Sequence, residues 1–237
     1  MSLMQNTAFA SSGHPGATGS ASTAPAKPGS AKSPRLERLK TLPRNPGEAS
    51  FFYSDNHFRY DAVKVLPGEY YVSTEDILIT TVLGSCIAAC IWDSRVRAGG
   101  MNHFMLPDGE STEGMGRYGS YAMELLINQM VKLGGRRETM QAKVFGGGQV
   151  MAGFTAMNVG ERNTEFVLDY LATERIPIIS QDVLDIHPRK VCYFPLSGKA
   201  LVKRLAHAHP EALVVQERKG NVARVVQSTA GGSVDLF

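Results

Sequence analysis

No apolar run in this chain approaches the ~18 residues that a membrane-crossing helix needs, so membrane insertion is not expected. The start has no basic stretch leading into an apolar one, so no export signal is expected either. Cysteine is scarce: Cys86, Cys90 and Cys192 are an odd number and do not suggest a disulfide framework. Without export the expected setting is the cytoplasm, where a thiol stays reduced. Charge of one sign is lacking too. Residues 1–50 carry six Lys or Arg and two acids, and 19 basic and 20 acidic residues remain beyond them. So neutral a body argues against nucleic acid as the main partner, whose binding needs a basic face.

Metal and nucleotide signatures are also missing. Zinc sites show two close ligand pairs, and here only Cys86 and Cys90 are close. On a strand those two share a face but lie ~13 Å apart, too far for one ion. Gly146-Gly147-Gly148 ends an apolar run, but no Gly-Lys-Ser/Thr follows and no Gly-x-Gly-x-x-Gly opens a helix. A turn that lets backbone approach closely fits the triple glycine better. No cofactor and no metal are expected.

What is present divides into three parts. In residues 1–34, 25 positions are Ala, Ser, Gly, Pro or Thr, too little apolar surface to offset the entropy of ordering. Residues 1–45 are therefore expected as a disordered tail, with Arg35–Arg44 as its solvated basic end. Residues 46–206 read as one folded domain, and 207–237 as a partly flexible extension. Tyr60–Val65 and Tyr70–Ser73 flank Leu66-Pro67-Gly68-Glu69 and predict a hairpin. Strands are expected at 77–82, 87–93, 98–106, 141–145 and 176–183. A hairpin is expected over 191–204. Helical spacing of Ala122, Leu125, Leu126 and Leu133 predicts a helix from about 118 to 133, stopped by Gly134-Gly135. Pro107–Gly119 reads as a loop, and a second helix runs from Gly160 to about Glu174. Strands first and helices later mean an α+β fold rather than a doubly wound sheet.

One stretch carries chemistry. The apolar run through Val82 stops at Leu83-Gly84-Ser85, and Cys86 follows at once. A cysteine just past a glycine turn sits where backbone N–H groups of Gly84, Ser85 and their neighbours can stabilise a thiolate or an oxyanion. His103, seventeen residues on, stands on an adjoining strand as candidate general base and acid. Thr80, on the incoming strand, is the candidate for holding the imidazole, and its neighbour Thr81 points to the opposite face. A lone Cys in an apolar segment is as readily a small core residue. Cys90 and Cys192 are read that way.

Thr80-x-x-x-Gly84-Ser85-Cys86 and the Gly-Gly-Met-Asn-His-Phe-Met-Leu-Pro segment around His103 resemble the chemoreceptor glutamine deamidase family, CheD. So do Lys143–Gly148, Val159–Asn163, Arg189-Lys190-Val191 and Ser197-Gly198-Lys199, in order from about Tyr70 to Leu205. The resemblance implies a β-sandwich of two mixed sheets flanked by helices, similar to the catalytic domain of the cytotoxic necrotizing factor deamidases. It implies Cys86 as nucleophile, His103 as base and Thr80 as third catalytic residue, with Ser85, Gly84 and Gly147 around the oxyanion and substrate. Its substrates are glutamines of methyl-accepting chemotaxis receptors, turned to glutamates through a thioester in an open, shallow pocket. A CheC-type phosphatase is an implied partner. The residues alone also admit another cysteine amidase or peptidase, a transglutaminase, or a non-enzymatic adaptor.

Overall fold

A computed structural model of the chain describes residues 33–106, 112–150 and 159–206. The tail to residue 32, the segments 107–111 and 151–158, and the extension 207–237 lie outside those residues, with the expectations that fall on them. Two five-stranded sheets form the body. The first holds, from edge to edge, β1 (Phe51–Asp55), β2 (Tyr60–Lys64), β4 (Leu78–Leu83), β9 (Arg189–Phe194) and β10 (Lys199–Arg204). The second holds β3 (Tyr70–Ser73), β6 (Ala98–Asn102), β5 (Ile87–Asp93), β7 (Met140–Gly146) and β8 (Ile178–Val183). Each sheet is mixed: β2–β4 and β7–β8 are parallel and the other pairs antiparallel. Helices α2 (Thr112–Lys132) and α3 (Val159–Thr173) pack on the second sheet. The fold is α+β, as expected. No helix among the described residues is long and apolar enough to cross a membrane.

The period-two alternation of strands sorts side chains into layers. Cys86, Ala88, Cys90 and Met101 meet Ile79, Leu83, Val191 and Tyr193 between the sheets. Ile87, Ala89, Ile91 and Phe104 turn the other way, onto Met123, Leu126 and Val167 of the helices. Strand β5 is thus buried on both faces, which is why its sequence is an unbroken apolar run. A third, smaller cluster of Leu78, Cys192, Tyr53 and Phe194 covers the outer face of the first sheet.

Three sequence expectations change. Residues 34–41, assigned to the tail, form helix α1, with Ser33 at its N-cap and Pro34 in its first turn. Leu36 and Leu39 enter the inter-sheet core, while Arg38 pairs with Glu75 at 2.6 Å and Arg35 with Asp61 at 3.4 Å. So short a helix has no stability of its own and exists through this packing, which composition does not reveal. Second, 60–65 and 70–73 are not a hairpin. The turn is real: Glu69 N–H donates to Leu66 O at 2.9 Å, with Pro67 second and Gly68 third at φ +82°, the type II pattern. It carries the chain from the first sheet to the second, since β2 pairs with β1 and β4, and β3 with β6. Third, α2 begins at Thr112, inside the expected loop, and ends where expected, ahead of Gly134 at φ +92°.

Leu39→Ala is expected to cost roughly 2–5 kcal/mol in urea unfolding, because its side chain fills the inter-sheet core. Arg38→Ala removes an exposed pair and should cost less than about 1 kcal/mol. Equal, small effects would show that α1 is not part of the folded body.

Candidate active site

The pairing of β5 with β6 matches Cys90 to Met101, Ile91 to Gly100 and Trp92 to Gly99, and the Ile87–Phe104 bridge continues the register. Followed along the strands, that register sets Ala88 opposite His103 and Cys86 opposite Met105. Cys86 and His103 are therefore diagonal neighbours on one sheet face. Such pairs lie roughly 7–8 Å apart at Cα, within reach of an imidazole. Both side chains point into the space between the sheets.

The His103 backbone is clamped on both sides by the type II turn: its N–H donates to Glu69 O at 2.9 Å, and its carbonyl accepts from Gly68 N–H at 2.6 Å. Its ring meets the first sheet. Thr81 Oγ1 lies 2.8 Å from His103 Nδ1 and donates its own proton to Val65 O at 2.7 Å. With the hydroxyl proton spent on a carbonyl, Thr81 is left to accept, so Nδ1 carries the ring proton and Nε2 holds a lone pair. Among the described residues Nε2 is buried without a hydrogen-bond partner. Burial drives the His103 pKa down to about 4, against the Val65 carbonyl, which raises it, and with help from Lys64. The imidazole therefore rests neutral, a base rather than one half of a standing ion pair.

Thr80 does not reach His103. On β4, Ile79, Thr81 and Leu83 face the inter-sheet core, while Thr80 shares the outer face with Leu78 and lies in register with Cys192. Its hydroxyl meets Tyr53 Oη at 2.8 Å. The position beside the imidazole belongs to Thr81, one residue on, because successive strand residues face opposite ways.

The segment before Cys86 is held by its carbonyls. Gly84 O accepts from Gly148 N–H at 2.8 Å, Ser85 O from Asn163 Nδ2 at 2.9 Å, and Cys86 O from Gly147 N–H at 2.8 Å. A planar trans peptide points its N–H opposite to its carbonyl, so these bonds aim the Ser85 and Cys86 N–H groups away from the glycine loop and α3. The Ser85 hydroxyl points at Met105 Sδ, 3.7 Å away. Gly147 thus braces the nucleophile's loop from behind, and its N–H is committed to Cys86 O rather than to a substrate. The loop must be glycine here. Gly146 and Gly147 sit at φ +113° and +67°, and a Cβ on Gly146 would collide with the Cys86 carbonyl.

Cys86 is 0% exposed and His103 2%, so the thiol lies inside the sandwich and not in the open, shallow pocket expected. Behind the glycine loop, fully buried Arg189 holds Asp182 at 2.8 Å and donates to His187 O. Burial pushes Asp182 up, but the Arg204 and Arg189 guanidiniums outweigh it and keep the carboxyl below its usual range. Cys192 lies on the outer face of the first sheet, away from Cys86. Among the described residues no three His, Cys, Asp or Glu side chains gather as a metal site.

The sequence model for CheD chemotactic sensory transduction matches residues 105–204. A protein of Albidiferax ferrireducens, named a probable chemoreceptor glutamine deamidase CheD, is 77% identical over 203 residues, covering 86% of this chain and 87% of its own. A Dechloromonas aromatica protein of the same name is 54% identical over 78% of this chain and 93% of its own. One from Thiobacillus denitrificans is 51% identical over 80% and 96%. Among solved structures, the Bacillus licheniformis hypothetical protein YfiH aligns at TM-score 0.35 and 9% identity over 49% of this chain and 51% of its own, a likeness too slight to bear on fold or function.

His103 links folding to pH. Its folded pKa of about 4 lies below the ordinary 6.5, so between those values the unfolded chain binds the extra proton. Stability should be full above pH 6.5 and fall as pH drops toward 4, by on the order of 3 kcal/mol. Urea unfolding across that window should show the slope, and His103→Gln should flatten it. The depressed Asp93 and Asp182 act only below their ordinary value of 3.8.

Proposed function

Because the chain belongs to the CheD family of chemoreceptor glutamine deamidases, we propose that Cys86 is its nucleophile, His103 its base and acid, and Thr81 the residue that orients the imidazole. As a member of that family it is an enzyme, a protein-glutamine glutaminase that converts chemoreceptor glutamines to glutamates in chemotaxis. The observation that supports the residue roles is the shared inner face of Cys86 and His103, with Nδ1 held by Thr81.

The chemistry follows from a neutral imidazole. His103 Nε2 takes the thiol proton as Sγ attacks the glutamine Cδ. The carbonyl oxygen becomes an oxyanion, which the Ser85 and Cys86 N–H groups receive, each donor contributing roughly 3–4 kcal/mol. Imidazolium His103 then protonates the departing nitrogen, the C–N bond breaks and ammonia leaves. A thioester remains on Cys86. Neutral again, His103 draws a proton from water, which attacks the thioester carbon. The thiol is regenerated and glutamate released, with net consumption of one water. Every proton is carried by His103.

The two mixed sheets flanked by helices support a likeness to the cytotoxic necrotizing factor catalytic domain. The substrates are taken to be methyl-accepting receptors met in the cytoplasm, with a CheC-type phosphatase as a further partner.

Mass spectrometry of a purified receptor cytoplasmic domain after incubation should show NH₂ replaced by OH at defined glutamines, and nothing with Cys86→Ala. Modification that survives in Cys86→Ala would remove the nucleophile assignment, and no modification of any receptor would favour an adaptor. Thr81→Ala should lower kcat on the order of 100-fold by freeing the imidazole, whereas Thr80→Ala should leave most activity. A larger loss at Thr80 would reverse the assignment.

A further inference from the structure

Asn163 lies near the start of α3, fully buried. Its amide is spent at both ends. Nδ2 donates to Ser85 O at 2.9 Å, and Oδ1 accepts from Leu106 N–H at 2.9 Å. Ser85 immediately precedes Cys86, and Leu106 is three residues beyond His103. One side chain thus ties the peptide entering the proposed nucleophile to the strand that leaves the proposed base.

The helix beneath it is built to hold still. Gly160 stands against the Gly147 backbone, where a Cβ would strike Gly147 O. Thr164 Oγ1 turns back onto Gly160 O at 2.7 Å, and Gly147 N–H holds Cys86 O. The N-terminal end of α3 therefore braces the nucleophile's loop at two points, through Gly147 and through Asn163. Val167 and Leu171 anchor the same helix in the layer beneath the second sheet. Only a side chain with a donor and an acceptor on one short planar group answers both Ser85 O and Leu106 N–H. Aspartate lacks the donor, and leucine lacks both.

We propose that Asn163 is a positioning residue for the deamidation: it fixes the plane of the Ser85–Cys86 peptide and so aims the Cys86 N–H at the thiolate and the oxyanion. The inference rests on the proposed role of Cys86. It gives α3 a part in the reaction with no contact to substrate. A bond to the carbonyl of one residue sets the N–H of the next, because the peptide is rigid. Without Asn163 the peptide can rock, and the N–H dipoles that favour thiolate lose their aim.

The test uses Asn163→Leu, similar in volume, and Asn163→Ala, which leaves room for a bridging water if the leucine form does not fold. Val167→Ala, a core truncation on the same helix, is the control for lost stability. Iodoacetamide alkylation of Cys86 is followed against pH, beside kcat and KM on a receptor cytoplasmic domain. In the Asn163 variants the alkylation midpoint should rise by about one unit. Their kcat should fall on the order of 100-fold, with KM within about twofold. Val167→Ala should lower Tm and leave the midpoint in place. A midpoint that stays at the wild-type value in folded Asn163 variants overturns the proposal, whatever kcat does. So does an equal shift in Val167→Ala. The alkylation arm needs only the thiol, so a wild-type protein that modifies no receptor would count against the deamidase reading and leave this test standing.

Discussion

The pairing of β5 with β6 is the constraint on which the site depends. Its register sets Ala88 opposite His103 and Cys86 opposite Met105 on a face that looks into the sandwich. A slip of one residue would turn His103 toward the helices and away from Thr81, because strand side chains alternate. The register is held from both sides. Ile87, Ala89, Ile91 and Phe104 must bury against the helices, and Cys90 and Met101 against the other sheet. The apolar pattern that makes β5 a doubly buried strand also decides which way a thiol and an imidazole face.

Placing polar groups in that interior has a cost, and the structure shows how it is met. An unpartnered buried donor or acceptor costs roughly 1–3 kcal/mol. Thr81, Asn163 and Arg189 each spend their polar atoms on carbonyls, an amide or a carboxylate. His103 escapes the larger cost of a buried charge by remaining neutral. Its Nε2 is one exception, a buried lone pair with no hydrogen-bond partner among the described residues. A general base needs such an atom, and an ordinary core does not tolerate one for nothing.

Much of the scaffold was legible in the chain. Strand β4, the small-residue break, the run of β5, helix α3 and the β9–β10 hairpin all follow from local patterns of period two or 3.6, or from glycine at a turn. Local signals failed where partners are distant. Leu66–Glu69 is a true turn, but whether it closes a hairpin or crosses between sheets depends on strands far along the chain. Helix α1 has a start signal in Ser33-Pro34 but only Leu36 and Leu39 to bury, and both find their core in residues further along the chain. Gly147, which the resemblance sets around the substrate, spends its N–H on the back of the Cys86 loop, a contact that only the folded chain reveals.

By itself the sequence determined the chemical parts: a cysteine after a glycine turn, a histidine on the next paired strand and no metal signature, in an order that resembles one family. Those are properties of residue type and spacing, and they survive any detail of packing. Only the tertiary structure decided which threonine meets the imidazole, that the histidine is buried and its pKa pushed down, and that Asn163 joins the two strands of the site. Adjacent threonines differ in nothing local except the face they take, and that face is set by what lies across the sandwich. Burial and its effect on a proton are likewise properties of the surroundings. An amide from residue 163 meets the carbonyl of residue 85 only once a helix has docked on a sheet.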